Sequence, residues 1–237
     1  MKNYCIREDY TARGESLTLD SKGRVYWNEK RVEESAFYQW HIYHYALALI
    51  KQHQIKNVLD VGCGAATKLV RMLSQSADIY GIDQPSAIEY CKATYQVGTF
   101  YAENLEAPTV SIDLPFGLII CSDVIEHVVD PDTLIRYIKR FCSKETYLLF
   151  STPDRDKLRG KDCLYSPKKE HIREWNAGEF SRYLEQSGFS VLDQKHVPPV
   201  KTTFNRLFLR HLLAQIKAFR PYQYTILALC RLNPSSS

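Results

Sequence analysis

The sequence predicts an α/β protein built on a doubly wound, largely parallel sheet. Short apolar runs alternate with runs of helical periodicity from residue 57 onward, and the first apolar run ends in a glycine turn that opens a helix. The chain has 237 residues, 45% of them hydrophobic and 24% charged. That is enough for one well-buried domain with appendages and is unlike a disordered or fibrous chain.

Residues 33–53 combine Ala, Leu and Glu with apolar side chains at helical spacing, which predicts one helix leading into the core. Residues 57–61, 79–82, 99–102, 116–121 and 147–150 are short and apolar and are predicted strands. Residues 67–76, 86–93 and 132–142 carry helical periodicity. Pro85 and Pro131 stand where a first helical turn tolerates a missing N–H, with Asp130 as a cap for the second. Asn176-Ala177-Gly178-Glu179 reads as a capping box before a helix over 177–187 that stops at Gly188. Two further strands follow, 189–195 and 222–232, separated by a basic amphipathic stretch over 204–219. The division expected is a cap over 1–53, a catalytic domain over 54–232 and a disordered tail over 233–237. The insertions 154–175 and 200–220 are expected near the acceptor.

Composition narrows the function. Seven scattered cysteines without a Cys-x-x-Cys pair argue against a disulfide framework and a structural zinc site, and fit a reducing cytoplasm. Residues 1–9 lack the apolar stretch of a secretory signal, and no apolar run approaches the roughly 20 residues of a membrane span. A net charge of +4 is too mild for the basic stripe of a nucleic-acid binder.

Val58-Leu59-Asp60-Val61 runs straight into Gly62-Cys63-Gly64-Ala65-Ala66. Glycines there permit a tight turn and let backbone come close to a ligand. The next strand ends in Tyr80-Gly81-Ile82-Asp83, which places a carboxylate where both hydroxyls of a ribose can donate to it. A Gly-x-Gly turn alone is also an ordinary strand-to-helix turn. The surrounding residues lack the Gly-x-x-x-x-Gly-Lys of a phosphate loop, and the missing Gly-x-Gly-x-x-Gly fingerprint disfavours a nicotinamide dehydrogenase.

Taken together, 58–64 and 81–83 resemble motif I and the following acidic loop of the class I S-adenosylmethionine-dependent methyltransferases. The resemblance covers about residues 50–232. It implies a Rossmann-like seven-stranded sheet with an antiparallel last strand, helices on both faces, S-adenosylmethionine as cofactor and S-adenosylhomocysteine as product. By motif position, Gly62 and Gly64 approach the methionine part, Asp60 helps to position it, Asp83 binds the ribose and Gln84 lies beside the adenine. Ser122 at the fourth strand end joins them. The third strand ends in Glu103-Asn104 where many relatives place an aspartate on the adenine amino group, and either residue can accept that bond.

Methyl transfer from a sulfonium needs an aligned acceptor and, for a hydroxyl, a proton acceptor. Asp123, Glu126 and His127 follow the fourth strand at i, i+3 and i+4, one face of a helical turn. Two readings stay open: His127 as general base oriented by the carboxylates, or a Glu-His pair that satisfies backbone groups around the cleft. Ser151-Thr152-Pro153-Asp154 and His171-Ile172-Arg173-Glu174-Trp175 resemble the small-RNA 3′-terminal 2′-O-methyltransferases and, more loosely, the ubiquinone-pathway O-methyltransferases. That resemblance implies a divalent-metal set of Asp123, Glu126, His127 and His171, although Asp123 is a methylene shorter than the glutamate of those families. The expectation without it is no metal. His171, Arg173 and Trp175 are acceptor contacts or a surface loop with an anchored Trp. Tyr26, Trp40 and Tyr43, in an aromatic entry segment, are acceptor walls or packing residues. The stretch 204–219 is a lid, a dimer contact or a surface for anionic lipid.

A broader similarity is to methyltransferases associated with polysaccharide and natural-product biosynthesis. The expectation is therefore methyl transfer to an oxygen or nitrogen of a small polar metabolite by a monomer or homodimer. Metal-dependent 2′-O-methylation of an RNA end and a catalytically silent S-adenosylmethionine-binding subunit are the alternatives.

Overall fold

The computed structural model describes residues 3–14 and 29–233. Seven strands form one sheet: β1 (Asn57–Val61), β2 (Asp78–Asp83), β3 (Thr99–Ala102), β4 (Leu118–Ser122), β5 (Tyr147–Pro153), β6 (Phe189–Val197) and β7 (Thr225–Leu232). Their order is β3-β2-β1-β4-β5-β7-β6. The first five in that order are parallel, and β7 runs antiparallel to both β5 and β6. The Rossmann-like sheet expected is therefore present, with its antiparallel last strand. The chain leaves β1 toward β2 on one side and returns to β4 on the other, so a crevice opens at the C-terminal ends of β1 and β4.

Period-2 alternation sorts the core into two layers. Leu59, Val61, Ile119, Cys121, Leu148 and Phe150 point to the layer packed by α4 (Pro131–Lys139) and α6 (Ala177–Gln186). Val58, Leu118, Ile120 and Leu149 point to the layer packed by α2 (Trp40–His53), α3 (Pro85–Thr94) and a π-helical turn over Leu69–Leu73. Asp130 caps α4 by accepting from Asp132 N, and the capping box of α6 is complete between Asn176 and Glu179.

The helix predicted over 33–53 is two helices, α1 (Glu29–Ser35) and α2. Gln39 adopts φ 52° between them and donates its N–H to Pro199 O, while Tyr38 bridges to Val200. A long-range contact therefore overrides local helix propensity. Within the insertion expected over 154–175, α5 (Arg155–Arg159) is capped by the Asp154 side chain. The buried Arg155 guanidinium pairs with Glu179 at 2.7 and 3.1 Å and anchors it. The basic stretch becomes α7 (Arg206–Lys217).

Candidate active site

The crevice holds a cavity of about 980 Å³. One wall comes from β1, β2 and their exits: Gly62, Cys63, Gly64, Asp83 and Gln84. Gly62 has φ 83° and Gly64 φ 56°, conformations that glycine adopts at little cost. A Cβ on Gly62 would stand 2.2 Å from Val124 Cγ2, so the glycine also lets the segment after β4 close over the turn.

Asp83 turns both oxygens toward this wall, where they accept from Gly64 N and Gln84 N at 2.7 Å each. Burial raises its pKa to about 6 against those two hydrogen bonds. Asp60 is fully buried behind the turn. One oxygen accepts from Tyr43 OH at 2.6 Å, and Oδ1 has no partner among the described residues. Burial lifts its pKa to about 7, with Asp83 adding to the rise and Tyr43 and Lys68 opposing it. Lys68 lies over the Tyr43 ring and donates to Ser35 O; its own pKa falls to about 8 through burial. In the sequence Lys68-Leu69 after the turn supports only the broader methyltransferase similarity, with no role in the site assigned to Lys68.

The opposite wall brings together distant segments. Asp123, with φ 53°, gives one oxygen to Ser151 Oγ at 2.6 Å and the other to Gln39 Nε2 at 3.0 Å. The kink at Gln39 thus delivers a side chain to the site that no local pattern marked. Ser122 lines the cavity and bonds Ser151 Oγ at 2.8 Å.

Ile125–His127 is a single 3-10 turn that holds Glu126 and His127. Ile172 N donates to Glu126 O, and Arg173 donates to Val128 O and Val129 O, tying the 171–175 segment to that turn. His127 and His171 meet edge to face, with ring centroids 4.7 Å apart. One ligand atom from each of Glu126, His127 and His171 lies within 4.8 Å of the others.

Their hydrogen bonds settle the tautomers. His127 Nδ1 faces Glu170 O, a pure acceptor, and so carries the proton. His171 Nδ1 faces Glu174 Oε1 at 2.6 Å, while its Nε2 accepts from Lys168 Nζ at 2.9 Å. Burial, then the neighbouring His171 and Lys168, pushes the His127 imidazole well below its usual range. Burial also lowers His171, against its bond to Glu174. At Glu174 burial acts upward, but hydrogen bonds from His171 and Arg159 outweigh it and bring the pKa to about 2. Glu126 is fully buried, and Oε1 lies 3.9 Å from His127 Nε2 with no hydrogen bond among the described residues. Burial, then Asp123, pushes its pKa well up.

Several predicted site residues lie elsewhere. Glu103 is buried and faces its own loop, where it accepts from the N–H groups of Asn104, Thr109 and Val110. Asn104 is exposed and bonds Glu106 N. Neither lines the cavity, whereas Leu105 does. Trp175 is fully buried, stacks on Tyr183 and donates its indole N–H to Tyr4 O, so it anchors the segment instead of touching an acceptor. Arg173 is a backbone clamp, and Trp40 packs under Lys201 away from the cavity. Asp123 is outside the converging trio, and its two oxygens are held by Ser151 and Gln39. Tyr43 does line the cavity. Tyr26 lies outside the described residues. The wall opposite the glycine turn also contains Tyr38, Arg159, Lys168, His211 and Tyr224, none of which lies in a sequence motif.

A parallel sheet with this strand order, a glycine turn and an acidic strand end at the crevice, and a carboxylate–imidazole cluster opposite define a methyltransferase-type α/β domain. A family model described as a methyltransferase domain matches residues 32–194, and the chain belongs to that family. Among curated relatives, a ubiquinone biosynthesis O-methyltransferase of Photorhabdus laumondii is 28% identical over 159 residues, 60% of this chain and 64% of that protein. One of Pseudomonas fluorescens SBW25 is 29% identical over 156 residues, 58% and 66% of the two chains. The matched region spans just under two thirds of the length of these relatives. Among solved structures, the complex between the Haloferax volcanii Trm112 methyltransferase activator and a methyltransferase matches with TM-score 0.65 at 14% identity, over 86% of this chain and 95% of that one. The plantazolicin methyltransferase BpumL, solved with S-adenosylhomocysteine and a substrate analog, matches with TM-score 0.58 at 17% identity over 86% of each chain. These structural likenesses show the fold.

Proposed function

We propose that the chain moves the methyl group of S-adenosylmethionine to a hydroxyl oxygen of a small polar metabolite. The observation that carries this reading is one cavity with a glycine–carboxylate wall facing Glu126, His127 and His171. The cofactor wall fits S-adenosylmethionine: two left-handed glycines leave backbone open to a ligand and Asp83 offers a carboxylate for ribose, while Asp60 does not line the cavity and stands behind the turn, bonded to Tyr43. The cofactor supplies an electrophilic methyl on a sulfonium. On the acceptor wall, the neutral His127 Nε2 can take the hydroxyl proton, with Nδ1–H held by Glu170 O. The O-methyltransferase activity of the curated relatives supports oxygen as the acceptor atom.

A second reading rests on the same trio. A buried carboxylate with an unpartnered oxygen and two imidazoles with Nδ1–H held by Glu170 O and Glu174 are donor types that a divalent cation takes, provided that Lys168 Nζ gives up His171 Nε2. Such a cation, held by Glu126, His127 and His171, would acidify an acceptor hydroxyl.

The test is conversion of S-adenosylmethionine to S-adenosylhomocysteine across phenols, catechols, sugars and amines, with and without chelator. Turnover confined to hydroxyl compounds supports the proposal, and loss to chelator with recovery on added Mg²⁺ selects the second reading. Turnover on amines alone would overturn both.

A further inference from the structure

Neither the core nor the cavity accounts for most of α7. Gln215 is the one buried residue of the helix, although it also carries Leu207, Phe208, Leu209, Leu212, Leu213 and Ile216. By contrast α4 buries Leu134, Ile135 and Ile138, and α6 buries Phe180, Tyr183 and Leu184. Leu213 is 52% exposed and Ile216 58%, and the helix is flanked by Phe204 at 89% and Phe219 at 98%. Leu207, Phe208, Leu209 and Leu212 are half-buried, and the uncovered remainder, Leu213 and Ile216 with Phe204 and Phe219 at the ends, marks an interaction surface.

Charge indicates what covers it. No Asp or Glu follows Asp193, whereas seven Lys and Arg residues do. Arg206, Arg210, Leu213 and Lys217 fall on one exposed stripe at helical spacing, with Ile216 beside it. Arg206 and Lys217 make no ion pair with any described residue. Cations beside exposed aliphatic side chains, with a phenylalanine at each end, are the makeup of a helix that lies in a lipid headgroup layer. A symmetric pairing of two copies through this helix would set like charges face to face.

We propose that α7 with Phe204 and Phe219 is a peripheral docking surface for a membrane rich in anionic lipid. The adjoining side of the same helix gives His211, Ala214 and Gln215 to the cavity, and Arg210 reaches it from the edge of the exposed stripe, so docking sets that wall beside the headgroups. This inference does not depend on the methyl-transfer reading.

The test is flotation of the full chain with vesicles of phosphatidylcholine alone and of phosphatidylcholine mixed with phosphatidylglycerol, at low and high salt. Binding is expected only to the mixed vesicles and is weakened by salt. It should fall at least about tenfold in Arg206→Glu/Lys217→Glu and in Phe204→Ser/Phe219→Ser. None of these four residues lines the cavity, so unfolding temperature and S-adenosylhomocysteine affinity should stay at wild-type values as the check on folding. Absence of wild-type binding to the mixed vesicles, equal binding to both vesicle types, or undiminished binding by both folded variants would overturn the proposal. So would light scattering that shows a stable dimer dissociated by Leu213→Glu/Ile216→Glu.

Discussion

The two walls of the cavity are built in different ways. Most of the cofactor wall comes from residues 62–84, with β1 and β2 in parallel register so that Asp60 stands opposite Gly81. The acceptor wall draws on α1, Gln39, the turn after β4, the 159–171 segment and α7, stretches far apart in the chain. The first wall is made largely of backbone, which only certain residues at certain spacings permit. The second is made of side chains that other side chains aim, as Glu174 aims His171 and Ser151 and Gln39 aim Asp123. On the proposed reading, a local wall fixes the cofactor and an assembled wall is free to vary with the acceptor.

Separating the two walls is the most demanding test of that contrast. His127→Ala should lower turnover by about 10²- to 10⁴-fold while S-adenosylhomocysteine affinity, followed by calorimetry, stays close to wild type. A parallel loss of affinity would show that the walls are coupled. Trp175→Ala should destabilise the fold by about 3–5 kcal/mol, read from denaturant unfolding, because its indole fills the core beneath the acceptor segment. Little change in stability would return that Trp to the acceptor side.

Asp83→Ala should weaken S-adenosylmethionine binding about 100-fold through two lost hydrogen bonds to a charged group. Turnover at saturating cofactor should change far less. Because Asp83 must be ionised to accept from both hydroxyls and titrates near 6, affinity should rise with pH through about 6, by at most about tenfold per pH unit, and then level. The stability of the ligand-free protein should run the other way. Carboxyls held at about 6 and about 7 stabilise fully below their unfolded value of about 4, and that contribution is lost as pH rises through 6 to 7. The smallest effect belongs to Glu103→Gln, expected to leave cofactor affinity within a few-fold because its carboxylate serves the 103–110 loop.

The same contrast governs what the sequence discloses. The glycine turn, Asp83, the strand alternation and the caps at Asp130 and Asn176 are local and were legible. Glu126, His127 and His171 were legible as types of residue, but their meeting depends on Ile172 N reaching Glu126 O and on the Arg173 clamp. Glu103 misled because strand-end position does not reveal that a carboxylate will turn back on its own loop. Trp40 and Trp175 share an aromatic signature, and only tertiary packing sends them away from the cavity. Gln39 carried no signal at all, since its left-handed conformation follows from contacts with Pro199 and Asp123.

The central claim, that one wall holds the cofactor and the other works on the acceptor, is tested most directly by calorimetric titration of S-adenosylhomocysteine into wild type, Asp83→Ala and His127→Ala. The expected result is one site per chain, strongly weakened in Asp83→Ala and preserved in His127→Ala. No binding to wild type, or equal loss in both variants, would contradict the account.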